Sequence, residues 1–202
     1  MVIQNDNPAR GVGEGIRIAY ADPPYLGCSH YYPERQEVDH NKLIEDLMWN
    51  YDNWALSCSS PSLGFLLNHY LLRSGDGGSN GMIRVAAWVK PFASFKPNVN
   101  PAYAWEPVIF RIKKQRKSRR DKTIRDWVKA NITLQKGLVG AKPPEFCFWL
   151  FDLLQLEMND TFDDLYPGTG IVGKCYFAWR NQQSQLLWGS PGTPPPSEAI
   201  KP

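Results

Sequence analysis

Ile16-Arg17-Ile18-Ala19-Tyr20-Ala21-Asp22-Pro23-Pro24-Tyr25 is the stretch on which the reading of this chain turns. Residues 16–21 are β-branched, aromatic and small, the composition of a buried strand. Pro23 brings no N–H to a ladder, so the strand must stop at Asp22. A carboxylate is thereby presented at the carboxyl end of a strand, and in open α/β sheets ligands bind at that edge. The prolines also remove two backbone donors, which leaves a turn that shows acceptors: the Asp22 carboxylate and the carbonyl oxygens of Asp22 and Pro23. Such a cluster suits an NH2 group that is held by its hydrogens while its nitrogen lone pair is freed to attack. Tyr25 adds a ring face on which a flat heterocycle can stack. The competing reading is a proline-stiffened turn behind a core strand.

Outward from this turn, 202 residues are enough for one α/β domain with a full core and too few for two. There is no run of 18 apolar residues and no basic-then-apolar leader, so neither a membrane span nor secretion is expected. Cys28, Cys58, Cys147 and Cys175 are scattered without C-x-x-C spacing and read as buried free thiols in a reducing compartment. With His30, His40 and His69 they form no zinc pattern, and no metal is expected. Charge is unevenly spread. Residues 111–125 hold nine of the 23 basic residues and one of the 20 acids, an excess of eight positive charges, which leaves the rest of the chain five negative. A basic segment on an acidic body is how a phosphate-binding element looks; the bland alternative is a solvated face.

In chain order, residues 1–15 read as a flexible arm, whose Gly11-Val12-Gly13-Glu14-Gly15 lacks the preceding strand of a phosphate loop. Residues 26–39 form a loop placed to close over a substrate. Residues 41–50 have helical apolar spacing with Asp39 or Asn41 as cap. Trp54 to Cys58 is a second strand, and Ser60-Pro61 opens a helix through Leu72. Residues 75–81 are a flexible turn. Met82 to Val89 and Val108 to Ile112 are the third and fourth strands, joined without a helix. The alternation predicts a mainly parallel sheet with an antiparallel edge hairpin and helices on both faces. The basic run, within an insert spanning 111–141, is expected to be partly helical and mobile until an anion arrives. Residues 142–156 form a nearly all-apolar, buried helix. Thr161 to Tyr166 is a further strand, and Pro167-Gly168-Thr169-Gly170 turns into a helix near Ile171, an arrangement in which backbone can approach a nucleoside closely. The domain thus covers 16–189, and the Pro-rich tail 190–202 is expected to be disordered.

Asp22-Pro23-Pro24-Tyr25 resembles the catalytic motif of S-adenosylmethionine-dependent amino-methyltransferases that act on exocyclic amines, chiefly N6 of adenine. Asp164-Leu165-Tyr166-Pro167-Gly168-Thr169-Gly170 is similar to their cofactor motif, and Lys142-Pro143-Pro144-Glu145 to the Lys-Pro segment before it. The catalytic motif first and Gly-x-Gly last is the order of the permuted, β-type enzymes. The chain departs from the larger ones: about 30 residues between the fourth strand and Lys142 leave no room for a separate target-recognition domain, and no later strand ends in a ribose-binding acid. It looks more like the compact mRNA N6-adenosine methyltransferase family and its bacterial and phage relatives, in which an Asn-Gln pair takes over the ribose contacts. Trp179-Arg180-Asn181-Gln182 stands where that pair would be.

The resemblance implies a Rossmann-like methyltransferase fold that binds S-adenosylmethionine, with Ala21, Asp22, Lys142, Asp164, Tyr166, Gly168, Gly170, Asn181 and Gln182 at the cofactor. It implies Asp22, Pro23, Pro24 and Tyr25 as the catalytic turn. Nucleic acid is the expected partner, DNA ahead of RNA, gripped by Tyr25, Lys90, Lys113, Lys114, Arg116, Lys117, Arg119 and Arg120. Trp88 and Trp105, near strand ends on the same edge, are candidates for stacking. The expected reaction is adenine-N6 methylation; N4-cytosine methylation and a catalytically silent binding subunit are the alternatives. A homodimer or a second recognition subunit is compatible with the short insert, a membrane is not expected, and the expected location is the cytoplasm of a bacterial or phage-infected cell.

Overall fold

A computed structural model describes residues 15–31, 36–69, 82–92, 97–113, 123–132 and 141–188. The arm, the tail, the 75–81 turn and basic residues 114–120 lie outside them. The strands are β1 (Arg17–Ala21), β2 (Asn53–Ser57), β3 (Met82–Val89), β4 (Trp105–Ile112), β5 (Trp127–Lys129) and β6 (Thr161–Asp164). The helices are α1 (His40–Asn50), α2 (Ser60–Leu67), α3 (Pro144–Leu153) and α4 (Ile171–Trp188).

One six-stranded sheet runs in the order β5-β3-β4-β2-β1-β6. β1 pairs in parallel with β2 and β6, and β3 with β5, while β4 lies antiparallel to both β2 and β3. Five strands therefore share one direction and the β3–β4 hairpin reverses it once. The hairpin lies towards one side of the sheet as expected, but the outermost strand there is β5. That strand is built from residues the sequence reading assigned to a basic insert. Arg111 and Ile112 belong to β4, as the fourth-strand reading has them, and so not to the insert that was also drawn from 111.

Alternation along β1 explains the layers, since successive side chains point to opposite faces. Ile18 and Tyr20 join Phe146, Leu150 and Phe151 of α3 and Trp179 of α4 in one core. Ala19 and Ala21 join Leu43, Ile44 and Leu47 of α1 and Leu66 of α2 in the other. The apolar helix α3 is thus buried between the sheet and α4, with Phe151 edge-on to Phe162, Tyr176 and Trp179 at ring separations of 5.2–6.2 Å.

Local chemistry sets the ends. Asp39 caps α1 by accepting from the N–H groups of Asn41 and Lys42, both at 3.1 Å. Ser59 caps α2, which ends at Leu67 rather than Leu72 because the Asn68 N–H turns back onto the last carbonyls. α3 stops at Leu153, three residues short of the expected end, and Gln155 takes a left-handed φ of 58°. Buried Asp160 accepts from the N–H groups of Ile16 and Glu157, which ties the start of β1 to the turn before β6. Gly15 passes so close to that turn that a Cβ would fall 1.7 Å from the Asn159 carbonyl oxygen. Three of the four cysteines are buried and Cys28 is half-buried; burial pushes the Cys58 thiol up to about 12 and that of Cys147 further. Such thiols are inert at neutral pH. No described helix is long and apolar enough to cross a membrane.

Candidate active site

The carboxyl edge of the sheet gathers the chemistry. β1 ends at Ala21, and Asp22, on the α3 side of the sheet with Tyr20, meets the segment that leads into α3. Lys142, only 4% exposed, donates from Nζ to Asp22 Oδ2 at 2.6 Å. The same Nζ lies 3.8 Å from Glu106 Oε2. Glu106, beside Trp88 in the β3–β4 register, accepts from the Tyr25 hydroxyl at 2.9 Å and pairs with Lys90. Below Asp22, the Tyr20 hydroxyl and Ser57 share a 2.8 Å hydrogen bond. Asp164, level with Tyr20 on β6, lies across from Asp22 on the same face.

These placements drive the acids apart. Burial raises the Asp22 carboxyl, and the Glu106 charge adds to it, against the opposing pull of Lys142 and Lys90. Burial acts on Glu106 too, but there the two lysines and the Tyr25 hydroxyl outweigh it and hold the carboxyl below its usual range. Asp164 is pushed up to about 6 by burial and by the Asp22 charge. Both its oxygens are buried with no hydrogen-bond partner among the described residues, although the nearby Tyr166 N–H and Lys142 favour its charged form. Burial and the Asp22 and Glu106 charges keep the Tyr25 phenol protonated, so it remains a donor to Glu106. A set of titratable groups pushed in opposite directions within one cleft is a functional-site signature.

Behind Asp164 the chain turns through Pro167-Gly168-Thr169-Gly170 into α4. Gly168 and Gly170 adopt φ of 45° and 71°, and a Cβ at Gly170 would meet no atom within 4 Å. The turn is closed by a 2.6 Å bond from the Gly170 N–H to the Pro167 carbonyl. It leaves open space beside Gly170 at the N-terminus of α4, where backbone donors are available.

Ala21, Asp22, Pro23, Pro24, Tyr25, Lys142, Asp164, Tyr166, Gly168 and Gly170 are therefore brought to one edge. Lys142, expected at the cofactor, contacts Asp22 directly. Asn181 and Gln182 are not brought there. They are exposed on α4, ten and eleven residues past its first residue, which carries them about 15 Å along the axis away from the edge. Lys90 is engaged by Glu106 and lies 4.8 Å over the Trp88 ring, so its charge is already compensated. Trp88 is core: it is buried, donates to the Ala130 carbonyl at 2.9 Å and packs on Phe146.

The basic segment needs correction. Arg111 is buried, its Nη1 donating to the Met48 carbonyl at 2.8 Å, so it holds α1 to the sheet rather than a phosphate. Lys113 leaves β4 four residues beyond Ile109, the residue level with Leu56 and Ala21. That is about 13 Å towards the opposite edge of the sheet. Lys114, Arg116, Lys117, Arg119 and Arg120 lie outside the described residues. Glu106 is the site residue that sequence reasoning missed. Its one signal was an acid set between Trp105 and Pro107 at a strand start. Among the described residues no group of three His, Cys, Asp or Glu side chains could hold a metal ion.

No family model matches the chain, and no curated protein matches it. Solved structures do. The crystal structure of M1.HpyAVI superposes with a TM-score of 0.52 at 16% identity, over 83% of this chain and 78% of that one. The crystal structure of the M1.HpyAVI–SAM complex gives 0.50 at 14% identity, over 82% and 77%. The fold is a Rossmann-like methyltransferase fold. At these identities the likeness concerns architecture.

Proposed function

We propose that this chain transfers a methyl group from S-adenosylmethionine to the exocyclic N6 amine of adenine in nucleic acid, with DNA the first polymer to test. The observation that carries the reading is the Asp22–Lys142 pair at the carboxyl end of β1, flanked by the buried Asp164 carboxylate, which no side chain among the described residues engages. A M1.HpyAVI structure of the same fold contains SAM, which supports the choice of cofactor.

The residues fit that cofactor. Asp164 is a buried carboxylate that no side chain among the described residues engages, suited to an ammonium group, and the open turn at Gly168 and Gly170 admits a nucleoside against backbone. When bound, the cofactor supplies an electrophilic sulfonium methyl. The chain does the rest by orientation. Asp22 accepts a hydrogen from the target amine; a carboxylate has about four lone-pair sites, and Lys142 takes one on Oδ2. The Pro23 carbonyl accepts a hydrogen bond from the second N–H, and the two bonds favour a pyramidal nitrogen whose lone pair points at the methyl; once methylated, that nitrogen gives up one N–H proton through Asp22 to water. Glu106 fixes the Tyr25 ring through its hydroxyl, giving the base a rigid face. Lys142 favours the ionised Asp22 that acceptance requires. Extruding the base from a stack costs a few kcal/mol.

The test is transfer of labelled methyl from S-adenosylmethionine to duplex DNA, single-stranded DNA and RNA, with wild type beside Asp22→Ala, followed by nucleoside analysis. N6-methyladenine that disappears in Asp22→Ala is the expected result. N4-methylcytosine would move the target base, and cofactor binding without transfer to any polymer would leave a binding subunit.

A further inference from the structure

The sheet face opposite the acid cluster is only partly covered. α1 and α2 pack over β1, β2 and β4 through Ala19, Ala21, Trp54, Leu56 and Ile109. On β3 and β5, beyond them, Val85 and Trp127 remain exposed, as does Trp105 at the start of β4. The register shows how these line up: Trp127 pairs with Ala87, which pairs with Pro107, and Lys129 pairs with Val89, which pairs with Trp105. Paired residues and their i+2 neighbours share a face. Two indoles, 42% and 41% exposed, thus flank a low floor of Ala87 and Val89, with exposed Lys129 on the same face. Arg125 lies 5.3 Å over the Trp127 ring.

Charge on this strip has one sign. The neighbouring acids point to the other face: Asp126 pairs with Arg84 at 2.5 Å, and Glu106 with Lys90 and Lys142. Flat aromatic faces beside cations that no acid pairs with among the described residues are the recognition chemistry of an unpaired polynucleotide strand, whose bases offer ring faces and whose phosphates offer charge. A duplex keeps its ring faces stacked internally. The strip ends at Trp105, one residue from the Glu106 that holds Tyr25, which puts its end at the same sheet edge as Asp22.

We propose that Trp127, Lys129 and Trp105, with Arg125, form a docking track for single-stranded nucleic acid that leads over the sheet edge to Asp22. The proposal rests on the reading of Asp22 as a nucleobase-methylating residue only for the direction of the track. It replaces the phosphate grip assigned to Lys90, whose charge Glu106 already compensates.

The test is fluorescence anisotropy with labelled oligonucleotides of about 12 nucleotides, within the span of known single-strand sites. Single-stranded DNA, single-stranded RNA and duplex DNA are titrated at several salt concentrations, with S-adenosylmethionine binding by calorimetry as a measure of folding. Trp127→Ala should weaken single-strand binding roughly 5- to 150-fold, the value of one base–aromatic stack, while Trp127→Phe retains most of it. Lys129→Glu should reduce the slope of log affinity against log salt by about one or more. Cofactor affinity should be unchanged in all three. Single-strand affinity equal to wild type in both Trp127→Ala and Lys129→Glu would overturn the track, as would duplex binding that falls in step with single-strand binding. The two readings fail separately. Methyl transfer that survives these variants with unaltered KM removes the track and keeps the reaction; Trp127-dependent binding without any transfer does the reverse.

Discussion

Replacing Lys142 by Met keeps the length of the side chain and removes the ammonium that lies 2.6 Å from Asp22 Oδ2. In the native protein burial raises the Asp22 carboxyl and Lys142 is the largest opposing influence. An opposite charge in contact is worth about 1–3 pKa units. Lys142 is 4% exposed, so solvent screens it little and at least the middle of that range applies, about 2 units or 3 kcal/mol. Glu106 stays in place and continues to push Asp22 upwards. Because only the ionised carboxylate can accept the amine hydrogens, the acid limb of kcat/KM against pH should move about 2 units to higher pH. Lys142→Arg, which restores a cation, should return most of it. The stability effect has a defined sign. A carboxyl raised further above its unfolded value contributes stability below the unfolded pKa and loses it as pH rises through the folded one. The variant should therefore lie closest to wild type in acid and furthest from it in alkali, its deficit bounded by the ~3–5 kcal/mol of a broken buried pair. A carbon-13 titration of the Asp22 carboxyl reads the shift without any need for turnover. An Asp22 midpoint that stays put or falls in Lys142→Met would refute the reasoning.

Other outcomes follow from the same coordinates. Asp164 titrates near 6 against an ordinary 3.8, so whatever stability it contributes is present below about 3.8 and lost as pH rises through about 6. Asp164→Asn should then gain at most ~3 kcal/mol in urea unfolding at pH 8 and little at pH 4, while binding S-adenosylmethionine more weakly; a pH-independent difference would count against the buried charge. Alanine at Asn181 and Gln182 together should leave cofactor affinity within twofold by calorimetry, since α4 carries both about 15 Å from the edge. Phe151→Ala empties a position that touches four other rings and should cost ~3–5 kcal/mol in chemical denaturation, with an unchanged m-value if the fold persists.

The parts of this molecule that sequence reasoning reached are those fixed by local chemistry. Pro23 can end a strand wherever it stands, so the position of Asp22 at the carboxyl end of β1 was legible in four residues, and so was the Gly168–Gly170 turn. Lys142 was found as a motif residue, but its contact with an acid 120 positions away is a property of the packed chain. Glu106 was hidden for the same reason: its partners Lys90, Tyr25 and Lys142 come from three separate segments. Charge counting misplaced Arg111, because a guanidinium that donates to the Met48 carbonyl inside the core looks in the sequence like any surface cation. β5 has three residues, too few for a periodicity, and its place is set by the hydrogen bonds it adds to β3. Asn181 and Gln182 were assigned by resemblance to an Asn-Gln pair that follows a Trp, and helical rise separates them from the Gly-x-Gly turn in space.

The site also has a charge sum with a bearing on turnover. Asp22, Glu106 and Asp164 bring three carboxylates, Lys90 and Lys142 two ammoniums, so with all five ionised the cluster is one negative charge in excess. In the proposed reaction the sulfur compound arrives as a cation and departs as a neutral thioether, its charge having gone with the methyl group. An edge with that surplus attracts the reactant form by one unit of charge more than the spent form. The same five side chains that poise Asp22 thereby act against retention of the used cofactor, and they do so more strongly above pH 6, where Asp164 is charged.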